Sequence, residues 1–64
     1  MITPIKDKFY NLYYNNYADG PYIRKVGKFT GEIEKIKDEI WYEFEIAPDK
    51  KYFYRAENVE SEKI

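Results

Sequence analysis

Seven consecutive residues, Ile40-Trp41-Tyr42-Glu43-Phe44-Glu45-Ile46, restrict what this chain can become more than any other stretch. Ile40, Tyr42, Phe44 and Ile46 fall on one side of a period of two, and Trp41, Glu43 and Glu45 fall on the other, which is the signature of a half-buried strand. A strand with one apolar face needs a second layer, or a sheet curled onto itself, to bury that face. The preceding stretch from Phe29 to Ile36 reads as its antiparallel partner, with Lys37-Asp38-Glu39 as the turn between them. The expected class is all-β, a small and strongly bent antiparallel sheet or barrel of four to five strands, with one N-terminal helix as an optional addition.

A chain of 64 residues makes one domain, close to the size below which staples are usually needed. It has no Cys and no His, so disulfides, a Cys/His zinc site and histidine acid–base chemistry are excluded. Large aliphatic residues are few, with Leu12, Val26 and Val59 beside the isoleucines, so eight Tyr and four Phe must supply most of the core. Aromatic and β-branched side chains favour strands, and each buried ring removes a large apolar area from water. The opening Met1-Ile2-Thr3-Pro4 lacks the apolar core of a signal peptide, and no apolar run has bilayer-spanning length, so a cytoplasmic protein without a membrane partner is expected.

Charge is nearly balanced at −1 but unevenly placed, with residues 1–31 at net +3 and residues 32–64 at net −4. This argues against a duplex-DNA binder, which needs a concentrated basic footprint. No catalytic residues, metal ligands or cofactor are expected; paired carboxylates alone, in a domain too small for a cleft, do not make an enzyme.

Along the chain, Thr3-Pro4 suits a helix start, and Ile5, Phe9, Leu12 and Tyr13 follow at helical spacing. A helix is the preferred reading, and a strand over Phe9 to Tyr14 is the alternative that the run of aromatics favours. Residues 15–21, Asn-Asn-Tyr-Ala-Asp-Gly-Pro, form a loop. Tyr22 to Val26 is a short strand, and Gly27-Lys28 is placed to close a tight hairpin into the Phe29 strand. Ile36 falls out of phase with Phe29, Gly31 and Ile33, and a bulge near Glu34-Lys35 would restore it. Ala47 to Lys50 makes a turn, and Lys51 to Ala56 is the last full strand, with Tyr52, Tyr54 and Ala56 opposed to Lys51, Phe53 and Arg55. A single 3₁₀ turn near Glu57 to Glu60 would drop Val59 onto the open end of the sheet, and residues 61–64 fray. The sheet core is thus expected over residues 21–60.

Val26, the step Gly31-Glu32-Ile33, the strand Ile40–Ile46 and the closing Ala56-Glu57-Asn58-Val59 together resemble the SH3-like small-barrel superfold, including its Tudor-type and KOW-type modules. The resemblance covers about residues 21–60 and implies a binding module, whose ligands in that superfold are peptides, methylated residues, nucleic acids or other proteins. The spacing Val26-Gly27-Lys28-Phe29 leaves no room for the long acidic loop of a peptide-binding SH3 domain.

Two contact surfaces follow from the residues themselves. Trp41 and the tyrosines Tyr14, Tyr17 and Tyr22 are candidate anchors for a protein partner, since Trp and Tyr dominate interface hot spots. Glu32, Glu34, Glu43 and Glu45 would border them as an acidic strand face that speeds association with a basic surface. The expected function is a small protein-binding module or inhibitor, of the kind that compact or mobile genomes encode. The alternative is a nucleic-acid-binding barrel using Arg24, Lys25, Lys28 and Arg55, with Tyr22, Phe29, Phe53 and Tyr54 to stack bases. A homodimer through the exposed edge Lys51–Ala56 is a third arrangement.

Overall fold

The computed structural model describes residues 3–14 and 23–61, the side chains of Tyr14, Ile23 and Arg24 excepted. In chain order come β1 (Phe9–Tyr14), β2 (Ile23–Ile36), β3 (Glu39–Ala47), β4 (Lys50–Arg55), a 3₁₀ turn η1 (Ala56–Asn58) and β5 (Val59–Ser61). They form one antiparallel sheet in the order β4-β3-β2-β1-β5. The sheet is not closed by hydrogen bonds among the described residues. Among the described residues no helix is long and apolar enough to cross a membrane.

The alternation of β3 is realised in the expected phase. Tyr42 and Phe44 are buried, Phe44 completely, while Trp41, Glu43 and Glu45 on the other face are half-buried. Phe44 meets one ring from each of three other strands: Tyr10 of β1 at 6.0 Å, Phe29 of β2 at 5.5 Å and Tyr54 of β4 at 6.1 Å between centroids. Phe29 also stands edge-on to Tyr42 at 5.5 Å. Edge-to-face and tilted rings add attraction beyond the area they bury. Rings from β1 and β4, which are not neighbours in the sheet, reach one side chain because the sheet curls around it. Leu12, Ala56 and Val59 complete the core, and Ile46 packs against it.

The helix expected from Pro4 to Tyr13 is not formed. Residues 9–14 are strand β1, paired on one side with β2 and on the other with β5. Two ladders outweigh an isolated helical stripe, whose first turn is costly to nucleate. Ahead of β1, a turn at Lys6–Asp7, with Asp7 at φ 69°, folds the chain so that the Asp7 N–H donates to Phe29 O at 2.9 Å and the Phe29 N–H to Lys8 O at 3.0 Å. The Ile5 N–H donates to the Tyr10 hydroxyl at 2.7 Å, and Pro4 is buried.

The hairpin expected at Gly27-Lys28 is also absent: β2 runs unbroken through both residues. Gly27 is present for closeness rather than for a turn. A Cβ there would stand 2.8 Å from Leu12 Cδ1, 3.0 Å from Phe44 Cβ and 3.1 Å from Ile46 Cγ2. The bend lies further on. Register with β3 passes from Phe29–Phe44 to Ile33–Tyr42, so β2 spends two extra residues around Gly31, at φ 100°, rather than at Glu34-Lys35. Glycine tolerates that torsion without a Cβ clash. Beyond the bend Ile33 shares a side with Tyr42 yet is 54% exposed, and Ile36 falls on the Trp41 side rather than inward.

Both remaining hairpins have two-residue loops. Lys37, at φ 57°, and Asp38 separate Ile36 from Glu39; Pro48 and Asp49, at φ 63°, separate Ala47 from Lys50. The β3–β4 register shifts between Glu45 and Ala47, and Ile46, on the same side as Tyr42 and Phe44, packs against the core. The expected 3₁₀ turn forms as η1, which touches both β1 and β3 and seats Val59 beside Leu12.

Candidate protein-contact face

Register places the outer, core-averted side chains of the sheet in rows. One row runs Phe9, Lys28, Glu45, Lys51 across β1 to β4, and the next brings Glu43 opposite Phe53 with Thr30 alongside. A third runs Glu34, Trp41, Arg55, and Ile36 faces Glu39 near the β2–β3 turn. The apolar members are open to solvent: Phe9 is 54% exposed, Ile36 54% and Phe53 39%.

Trp41 sits at the centre of this face and is half-buried. The Arg55 guanidinium lies over its ring at 5.5 Å from the centroid, a cation–π contact. Arg55 is held there by carboxylates, its Nε 3.1 Å from Glu39 and its Nη1 3.1 Å from Glu57. The indole N–H is enclosed and meets no hydrogen-bond acceptor among the described residues. Trp41 is thus partly covered, with Arg55 over its ring. The rings that project are Phe9 and Phe53.

The four glutamates are not one continuous acidic stripe. Glu45 stands between Lys28 and Lys51 in register, so its row alternates in sign. Glu43 accepts a hydrogen bond from the Thr30 hydroxyl at 2.8 Å. Glu34 neighbours Trp41, and Glu32 is exposed in the bend, where its N–H donates to Thr30 Oγ1 at 3.3 Å. Of the tyrosine anchors, Tyr14 lies in β1 opposite Ile23, while Tyr17 and Tyr22 lie outside the described residues.

The basic set is spread over both sides of the sheet. Lys25 pairs with Leu12 on the inner side, Lys28 with Phe9 and Glu45 on the outer side, and Arg55 is engaged by two carboxylates. Arg24 pairs with Tyr13 through the backbone. Two of the rings proposed to stack bases, Phe29 and Tyr54, are core residues at 3% and 7% exposure. Lys25 instead meets Lys50, Ile46, Tyr52 and Tyr54 around a cleft of about 320 Å³ that, among the described residues, no acidic side chain lines.

Sequence reasoning passed over Ile36, Phe9 and Val26 as surface residues. Ile36 needed the true position of the bend, whereas the side taken by Phe53 was readable from the alternation of Lys51 to Ala56. No family model, curated protein or solved structure matches this chain.

Proposed function

We propose that this protein is a small protein-binding module, built on an SH3-like plan, that docks a partner on the outer face of β2, β3 and β4. The observation that carries the reading is the exposure of Phe53 and Ile36 on the same face as Trp41, with glutamates between them. Apolar rings in a polar surround are what interface anchors look like before they are covered. The SH3-like plan is supported by the strand order β5-β1-β2-β3-β4, the long bent second strand and the 3₁₀ turn between β4 and β5. The reading extends to an inhibitor, because an aromatic face that covers a partner's surface also blocks it.

Affinity capture from the lysate of the source cell tests this directly. A partner retained by the wild-type chain is expected to be lost with Phe53→Asp combined with Ile36→Asp. Both side chains are exposed, so the thermal transition should stay in place. A partner held equally well by the double variant and by Glu43→Lys would sink the reading.

A further inference from the structure

We propose that the free edge of β4 takes up an extended acidic segment of a partner protein as a sixth strand. This contact shares Phe53 with the outer face but needs neither Ile36 nor Trp41. Among the described residues β4 pairs only with β3, so its other edge presents ladder N–H and C=O groups to solvent. Such an edge either is guarded or is used, and strand addition is a recurrent mode of peptide recognition. The chemistry of this edge favours one occupant. Its six residues, Lys50-Lys51-Tyr52-Phe53-Tyr54-Arg55, carry three positive charges and no negative one, in a chain whose net charge is −1.

The two sides of the edge differ in charge. On the outer side Lys51 stands beside Glu45, and Arg55 is engaged by Glu39 and Glu57, which leaves the inner side as the one that favours an acid. Alternate side chains of an added strand would fall on the outer side beside Lys51, Phe53 and Arg55. The others would fall on the inner side beside the cleft of Lys25, Lys50, Tyr52 and Tyr54, where no carboxylate stands among the described residues. Tyr52 at 48% exposure and Phe53 at 39% supply apolar surface on the two sides. A segment of about six residues, roughly 20 Å long, with acids among apolar residues fits this edge in charge and pattern.

A second copy of the chain fits poorly. Antiparallel self-pairing centred on Phe53 sets Lys51 against Arg55, and pairing centred between Tyr52 and Phe53 sets Lys50 against Arg55. Like charges directly opposite in a ladder are destabilising. Lysines on a bare edge also discourage self-association, so the same residues that reject a copy attract an acidic strand.

The probe is an acetylated eight-residue peptide of alternating glutamate and valine, titrated into the full chain at low salt. Outward-pointing amides of β4 should gain protection from hydrogen exchange. Affinity should fall about tenfold with Lys50→Glu plus Lys51→Glu, and fall again as salt rises. A peptide N-methylated at alternate amides keeps the charge but cannot ladder, and it should lose binding. Equal binding of that peptide, or of one with lysine in place of glutamate, overturns the proposal. So does a concentration-dependent dimer that protects the same amides, or their stronger protection by single-stranded RNA. Binding that survives Ile36→Asp, a change in β2 away from the edge, but not the lysine reversals supports the edge even where the outer-face reading fails.

Discussion

Phe44 touches a ring from each of β1, β2 and β4, so truncating it removes three aromatic contacts at once. Phe→Ala in a core costs about 3–5 kcal/mol, and a chain this short has only about 3–10 kcal/mol in hand. Phe44→Ala should therefore leave the protein largely unfolded at 25 °C, as collapsed amide dispersion in a proton–nitrogen spectrum; a folded spectrum would contradict the shared-ring picture. Gly27 makes the complementary point. Its added methyl in Gly27→Ala would press on Leu12, itself fully buried, and on the Phe44 Cβ. Overpacking of this kind costs about 1–3 kcal/mol, so the urea midpoint should fall with the slope unchanged. Were Gly27 a turn residue, as its place before Lys28 suggested, alanine would instead act through backbone torsion and the core rings would keep their chemical shifts. Local sequence marks Gly27 as unusual but does not say which neighbour requires it, because Leu12 and Phe44 come from other strands.

At the scale of elements, the hairpin β2–β3 carries a removable strain. Lys37 sits at φ 57°, a left-handed torsion that costs a side-chain-bearing residue about 1–2 kcal/mol. Lys37→Gly should raise stability by about 0.5–1 kcal/mol, read as a higher urea midpoint, since the loop is exposed and nothing else is removed. A lower midpoint would mean that Lys37 contributes a contact worth more than the torsion. The same element marks how far alternation carries. In β3 a seven-residue period of two gave the correct face for Trp41, Tyr42 and Phe44, and in β4 for Phe53 and Arg55. In β2 the period breaks at Gly31 and not at Glu34-Lys35, where a bulge would return Ile36 to the inside. The chain instead leaves Ile33 and Ile36 both in water. A pattern argument that assumes every isoleucine is buried misplaces the bend. That same exposure makes the end of this hairpin a part of the candidate contact face.

For the whole molecule, the bent all-β class was legible from one strand, whereas the place of the N-terminal third was not. Ile5, Phe9, Leu12 and Tyr13 do share a helical stripe, but Leu12 is buried in one cluster with Phe44 and with Val59, its ladder partner, both of which follow it by more than thirty positions. This wiring makes β1 dependent on the far end of the chain. Its one side is laddered to β2, and its other side is laddered to β5 through Tyr10–Ser61, Asn11–Glu60 and Leu12–Val59. Between β4 and β5 the turn η1 spans from β3 to β1 and buries Ala56. Ending the chain after Arg55 would thus remove one ladder, uncover Leu12 and strip the contact that joins the two ends of the sheet. A set of three or four strands without that cover keeps too little buried area to offset the entropy of ordering so short a chain. The truncated protein should lose its cooperative thermal transition altogether, not merely melt lower. A truncated chain that still melted in a single sharp step would show that β1 to β4 hold the fold by themselves, with η1 and β5 as passengers.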